Sequence, residues 1–317
     1  YSNDTASWAD NGGGTATATS TGYGAVGNQS YGYFNVGPSP WSAIDRLDYS
    51  SDTTTMSPKG PLVVSDRGWG FHAGTSDYGW WAGGGPGFTG PNTDVQRIDY
   101  SSDSSTASPR GNLNTQACAG GGTGNSQGMW IARYFNSGNV QKIDYSQDLA
   151  EAATKFSHTN TWWATGFGAQ NSAGPTAQGL TAAGNVVPFG LKTAYIGGGI
   201  TPAETTTATV NKINYAHDTN TTLTKGPLSA ARKSLSAGGG YDAGWFTGGE
   251  NPGGAVQATV DKVDYTNDTA TATPKGSLST ARSWMATVGT SDKAYVMGGS
   301  SPSAVSTIDR IDYANDT

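Results

Sequence analysis

The sequence predicts an all-β protein, a six-bladed propeller of four-stranded antiparallel blades. Three observations lead there. The chain has 317 residues, 47 of them glycine, and only 13% are charged. No window shows the 3.6-residue apolar spacing of an amphipathic helix, and Gly or Pro punctuates the chain every few residues, as between short strands. The phrase Tyr-x-x-Asp recurs at Tyr1, Tyr49, Tyr100, Tyr145, Tyr215, Tyr265 and Tyr313, at gaps of 48, 51, 45, 70, 50 and 48 residues. Six gaps define six repeats, one enlarged, and a period of about 50 residues suits one four-stranded blade. The segment before each Tyr alternates with period two, as a strand does.

Each repeat reads as four strands. In the last, Ser283–Gly289 is the first strand and Lys293–Ser300 the second, ending in a glycine pair. Ser306–Tyr313 is the third, and Thr269–Gly276 of the repeat before shows the fourth. On the third strand a basic and an acidic residue stand two apart on one face, Arg46 with Asp48 and Lys262 with Asp264. They read as ion pairs with a structural role in every repeat. The phrase itself reads as a tight polar turn, because Asp and Asn accept from backbone N–H groups two residues on. Such units bury their faces only against each other, so stacking around an axis is the stable solution. The last repeat stops after three strands, and Thr5–Gly12 is placed to supply its fourth and close the ring. Tyr1–Thr5 and Tyr313–Thr317 then compete for one turn. The reading is one domain over residues 1–317, a closed ring or a window of a longer array.

The stretch Leu278–Thr317 resembles the kelch repeat. It has an Arg before the first strand, an apolar-aromatic segment ending in Gly-Gly, and an Asp-x-Thr turn. It departs in reading Asp-Tyr rather than Tyr-Asp, and in lacking the Trp after the turn. The phrases "RIDYSSDSSTASPRGNL" and "IDRIDYANDT" also resemble the tandem repeats in structural proteins of marine tailed phages, especially those infecting cyanobacteria. That resemblance implies a virion component such as a tail fibre or surface appendage. Its partners would be other virion proteins or copies of itself, and its place the virion surface or the extracellular space.

Composition narrows the function. Net charge is −6 with no Lys/Arg run, which disfavours nucleic acid as a partner. No apolar stretch reaches the roughly 18 residues of a membrane span, so no membrane insertion is expected. Kelch-like folds include copper radical oxidases, which the resemblance requires testing. The chain offers His72, His158, His217 and the single Cys118, with no metal-ligand spacing among them. Cys118 reads as a buried structural thiol on a first strand. Glutamate is limited to Glu151, Glu204 and Glu250, and nothing pairs carboxylates for glycosidase chemistry. The Gly-Gly-Gly runs lack a following Gly-Lys-Ser/Thr, so backbone crowding explains them rather than phosphate binding. No catalytic residue, metal or cofactor is therefore expected.

Two features remain as binding candidates. Lys59, Arg67, Arg110, Lys225, Arg232, Lys275 and Arg282 precede first strands and would gather near the top of the channel. There they would meet an anionic ligand such as an acidic host-surface polysaccharide, unless they pair with Asp of neighbouring blades. The second is the excess between Tyr145 and Tyr215, a loop over Ala169–Lys192 with Val186, Val187 and Phe189 as partner contacts. Of the ten Trp, those read as lying on strands (Trp80, Trp81, Trp130, Trp162, Trp163, Trp245 and Trp284) are expected in the core, and Trp8 and Trp41 nearer the surface. The reading is a non-enzymatic structural or adhesion module of a phage virion. The alternative is a carbohydrate-binding lectin of a secreted or surface protein, which should place aromatics at equivalent loop positions of several blades.

Overall fold

The computed structural model describes residues 9–10, 24–36, 42–51, 55–63, 70–85, 92–118, 121–124, 127–132, 139–157, 165–168, 193–201, 203–215, 222–240, 242–290 and 292–315. The first strand of the chain, β1 (Ala9–Asp10), belongs to the last blade. Blade one is β2 (Gly24–Gly27), β3 (Tyr31–Val36), β4 (Ala43–Asp48) and β5 (Ser57–Lys59). Blade two is β6 (Phe71–Gly74), β7 (Tyr78–Ala82), β8 (Asp94–Asp99) and β9 (Ser108–Asn112). Blade three is β10 (Gly121–Gly124), β11 (Gly128–Ala132), β12 (Asn139–Asp144) and β13 (Ala153–Ser157). Blade four is β14 (Thr165–Gly168), β15 (Thr193–Gly197), β16 (Val210–Asn214) and β17 (Leu223–Lys225). Blade five is β18 (Ser236–Gly239), β19 (Ala243–Thr247), β20 (Val260–Asp264) and β21 (Thr273–Pro274). Blade six joins β22 (Ala286–Gly289) and β23 (Lys293–Met297) to the strand at Ile308–Asp312 and to β1. A short ribbon, β24 (Ser300–Ser301) with β25 (Ser303–Ala304), precedes that strand, which is β26.

The strands pair antiparallel in sequence order within each blade. β2, β6, β10, β14, β18 and β22 each touch the next, and β22 returns to β2, so the first strands ring the axis. Closure is as the sequence indicated. Ala9 pairs with Arg310 and Asp10 with Asp309, so the N-terminal strand completes the sixth blade and covers an edge that would otherwise lie open. Tyr313 occupies the turn of that blade; Tyr1 lies outside the described residues.

Among the described residues the buried apolar side chains form six clusters, each drawn from two adjacent blades. Val26, Tyr33 and Ile44 of blade one meet Trp81 and Ile98 of blade two. Phe71 and Trp80 then meet Met129 and Ile143. The pattern continues to Tyr295 and Met297, which meet Phe34 and Leu47 and close the circle. Both faces of every blade are therefore buried, as expected of sheets stacked about an axis.

One contact recurs at all six interfaces. The repeat-phrase tyrosine lies flat against the central aromatic of the preceding blade's second strand. Tyr100 stacks on Tyr33 at 4.8 Å between centroids, Tyr145 on Trp80 at 3.9 Å, Tyr265 on Tyr195 at 5.5 Å and Tyr313 on Trp245 at 4.3 Å. Tyr49 stacks on Tyr295 at 5.0 Å, and Tyr215 meets Trp130 at 4.3 Å with a 30° tilt. Tyr33, Trp80, Trp130, Tyr195, Trp245 and Tyr295 are all buried. A buried aromatic pair contributes about 0.5–1.5 kcal/mol beyond its area.

The ring, not the hydroxyl, carries this contact at Tyr100, whose buried Oη has no hydrogen-bond partner. Tyr100→Ala should cost about 2–4 kcal/mol, somewhat less than truncation of a fully buried aromatic, because the ring is only partly buried. Tyr100→Phe should leave stability unchanged or raised, since it removes an unsatisfied polar atom. Urea denaturation separates the two, and a large loss in Tyr100→Phe would show that the hydroxyl matters.

Candidate functional site

The antiparallel order gives the ring two unlike faces. First strands end, and third strands turn at the repeat tyrosine, on what is here the hairpin face. First strands begin, and second strands end, on the loop face, four of the second strands being followed by a glycine pair. Three sets of charged residues among those described are placed with respect to these.

The first set locks blade to blade beneath the hairpin face. Asp103, three residues after Tyr100, receives Tyr33 Oη at 2.8 Å and pairs with Arg46 at 2.7 Å and Lys59 at 3.4 Å. Asp148 receives Trp80 Nε1 at 2.9 Å and pairs with Arg97 and Arg110 at 3.1 and 3.3 Å. Asp268 receives Tyr195 Oη at 2.6 Å and pairs with Lys212 and Lys225 at 2.7 and 3.1 Å. Burial alone would raise the Asp268 carboxyl, but Lys212, Tyr195 and Lys225 outweigh it and hold it below the ordinary value. The same arrangement, with burial as the larger cause, pushes the Tyr33 and Tyr195 hydroxyls up.

This corrects the expected ion pairs. Arg46, Arg97 and Lys212 reach across to the next blade's turn instead of bonding the acid two residues on. The acid before each tyrosine caps its own turn: Asp48 accepts from Ser50, Asp99 from Ser101, Asp144 from Ser146 and Asp264 from Thr266. The acid two residues on is taken up by its own turn, whereas the neighbouring blade's Asp103, Asp148 or Asp268 lies within 3.1 Å of the basic side chain. Lys59, Arg110 and Lys225 likewise do not gather at a channel mouth. They stand on or at the end of fourth strands, the outermost of each blade, and join the same Asp residues. Lys275 follows the fourth strand of blade five, half-buried. Arg67 lies outside the described residues, as do Val186, Val187, Phe189, Trp8, Trp41, Trp162, Trp163, His158 and His217.

The second set is buried under the loop face. Arg232 gives hydrogen bonds to the Gly248 and Thr259 carbonyls and to Asp261 Oδ2, at 2.7, 2.8 and 2.7 Å. Arg282 reaches Asp309 Oδ2 at 3.0 Å and the Val296 carbonyl at 3.1 Å. All four side chains are essentially inaccessible. These arginines anchor the loop leading into the first strand and are closed to a ligand. Burial pushes the Arg232 guanidinium down, against the pull of Asp261. Blades two and three do the same job without charge: Gln96 and Gln141 accept from the Val63 and Asn114 backbone N–H, where Asp261 and Asp309 accept from Ser229 and Ser279.

The third set is accessible. Glu250 Oε1 accepts from Ser283 Oγ at 2.9 Å and from Trp284 Nε1 at 3.0 Å, while Oε2 faces Lys233 Nζ at 3.6 Å. Lys233, Glu250 and Trp284 are half-buried, on the loop face between blades five and six. Gly248 and Gly249 make the approach possible. Both have positive φ, 58° and 94°, and a Cβ at either would press on the Arg282 or Lys233 carbonyl. Trp284 also has positive φ, 62°, as does Ser234 at 57° in the equivalent loop. For a non-glycine residue that backbone costs about 1–3 kcal/mol and marks a position fixed by its surroundings. The sequence reading put Trp284 on the first strand and in the core; the strand starts later, at Ala286. The other described tryptophans, Trp80, Trp81, Trp130 and Trp245, are in the core as expected.

His72 lies on β6 and Cys118 in the loop ahead of β10 rather than on a strand. Burial pushes the thiol up to about 11 and the imidazole down to about 4. Among the described residues no three His, Cys, Asp or Glu come together to hold a metal, and no helix is long and apolar enough to cross a membrane.

These features define a six-bladed β-propeller, and solved structures bear on the class alone. The chain is similar to the structure described as that of YjhT, with a TM-score of 0.72 over 93% of this chain and 95% of that one, at 11% identity. In all, 598 solved chains match, so the architecture is widely shared and at this identity carries the fold only. No protein family and no curated protein sequence matches the chain.

Two outcomes follow. Asp148→Ala leaves the Trp80 indole N–H and two cations without their carboxylate, and should cost about 2–4 kcal/mol in urea denaturation. A change below about 0.5 kcal/mol, the range of ordinary surface substitutions, would show the lock to be idle. The folded chain keeps His72 neutral while an unfolded imidazole titrates near 6.5. Between those two values the unfolded chain binds more protons, so stability should fall as pH falls from about 6.5 towards 4. His72→Gln should flatten that slope in thermal melts across the window; an unchanged slope would place the titration elsewhere.

Proposed function

We propose that this chain is a non-enzymatic structural and attachment module of a tailed-phage virion, part of a tail fibre or surface appendage. It would hold to other virion proteins or copies of itself and present a surface to the host. What supports this most is the spending of repeat charges. Asp103, Asp148 and Asp268, with their six basic partners, join blades to one another. That arrangement serves rigidity, and a rigid ring presents loops at fixed positions. The likeness of the repeats to those of marine tailed-phage structural proteins supplies the setting.

The enlarged repeat gives the reading a direction. β14 and β15 pair with each other, Gly168 opposite Ala194, so residues 169–192 leave and return at one hairpin position. In blade two the same connection is Thr75–Asp77. The flanking residues Gly168 and Thr193 end and begin the two innermost strands of blade four on the hairpin face. The fold does not need the excess, and a partner contact is the role assigned to it. The lectin reading draws on Trp284, an accessible aromatic in a strained loop.

Immunogold microscopy of purified particles, with antiserum against this chain, should label fibres or appendages. Its absence from particles, in a lysate that contains the chain, would remove the virion reading. Replacing residues 169–192 by Thr-Ser-Asp should leave the melting temperature within a few degrees and abolish incorporation. Normal incorporation of that variant would assign the contact to another surface.

A further inference from the structure

The fourth strands of blades one to five are built on one three-residue phrase. It reads Ser57-Pro58-Lys59, Ser108-Pro109-Arg110 and Thr273-Pro274-Lys275 in blades one, two and five. Blades three and four read Ala153-Thr154-Lys155 and Leu223-Thr224-Lys225. The middle residues share one register: Pro58 faces Asp45, Pro109 faces Gln96, Thr154 faces Gln141, Thr224 faces Asn211 and Pro274 faces Asp261. Lys275 N–H donates to the Val260 carbonyl at 2.8 Å, so that residue turns its backbone inward to the third strand. Residues on an antiparallel pair alternate, so the middle residue turns its backbone outward, away from the blade. Proline there removes the outward donor, which keeps an edge strand from pairing with another chain. Thr154 and Thr224 keep that donor. Both are exposed, and among the described residues no strand pairs with the outer side of β13 or β17.

Blade four differs from blade three in the residue beside the donor. Leu223 is 60% exposed, one of three large apolar side chains so placed among the described residues. Its counterparts Ser57, Ser108, Ala153 and Thr273 are polar or small. Leu223 and Lys225 share a strand face, and Lys225 is held by Asp268 at 3.1 Å. The outer edge of β17 therefore combines an open donor and acceptor on Thr224 with an apolar side chain next to them.

We infer that the outer edge of β17 is a pairing surface for a second copy of this chain. A twofold axis through Thr224 sets it opposite Thr224 of the second copy, and each N–H donates to the other's carbonyl. Leu223 then packs on the Lys225 stem and the Leu223 side chain across the seam. The strand is self-complementary, because donor and acceptor lie on one residue and the apolar group lies beside it. That favours a second copy over a foreign strand. Lys225 enters the seam already bound to Asp268, so it brings no unpaired charge. Two hydrogen bonds and one pair of leucines are little beside the area of a permanent dimer, so the association is weak in free solution. It strengthens where copies are held close together, as on a particle. The inference names one partner within the assembly reading and rests on that reading for its setting.

The test is sedimentation velocity on the purified full chain over a concentration series into the millimolar range. The wild type should pass reversibly from monomer to dimer. Thr224→Pro reproduces the edge of blades one, two and five, so it should keep its melting temperature within a few degrees and weaken the dimer at least tenfold. Leu223→Ser reproduces blades one and two and should also weaken it. Val63→Ser removes an exposed apolar side chain elsewhere and should dimerise as the wild type does. Circular dichroism checks folding, and should Thr224→Pro unfold, Leu223→Ser decides. A wild type that stays monomeric overturns the inference, as does a dimer that keeps its affinity in both edge variants. A monomeric wild type whose Thr224→Pro variant is lost from particles also overturns it, and gives the edge to a strand of another protein. A monomer that labels virions leaves the virion reading standing. A Thr224-dependent dimer absent from virions upholds the inference and removes the virion reading alone.

Discussion

A tyrosine lying flat on the previous blade's aromatic is the contact on which the ring depends. It is flat at five interfaces and tilted by 30° at the sixth, Tyr215 on Trp130, with centroid distances from 3.9 to 5.5 Å. It explains why the repeat phrase begins with Tyr. The Asp three residues later explains the rest of the phrase at three interfaces. It accepts from the polar tip of the same aromatic and gathers two basic side chains of the preceding blade. One turn thus supplies an apolar plate and a carboxylate to its neighbour. The two act together, because excluding water from the aromatic strengthens the charge contacts beside it.

No single core holds this protein. Six apolar clusters lie between blades, each shared by two of them. A blade removed from the ring would expose both faces, so stability is a property of the closed circle. The N-terminal strand contributes by position more than by area: β1 has two residues, but they cover the edge of the last blade.

The arginines show how similar-looking residues diverge. Arg46 and Arg97 are partly exposed and bridge blades, whereas Arg232 and Arg282 are sealed inside and serve backbone carbonyls as well as Asp. Sealed pairs of this kind favour a defined loop position more than they favour net stability, since desolvation offsets much of their attraction. The loop they fix is the one that carries Ser234 and Trp284. Rigid placement beneath and an accessible aromatic above are linked by the same few residues.

The sequence by itself determined the all-β class, the number of blades, the four-strand unit and the closing role of the N-terminal segment. These follow from period and alternation, which are local properties of a chain. It also determined that the Gly-Gly-Gly runs mark backbone crowding, as at Gly198, where a Cβ would press on the Arg232 carbonyl. Tertiary structure alone decided which charges meet. Lys212 lies 56 residues from Asp268 and Arg97 lies 51 from Asp148, separations that a local pattern does not register. It also decided where strands begin. The apolar run Ser283–Gly289 is continuous, yet the left-handed backbone at Trp284 lies ahead of a strand that starts only at Ala286, and the indole donates to Glu250. The Trp284 N–H donates to the Ser234 carbonyl in the neighbouring blade's loop, and pairing across blades is what a linear reading lacks.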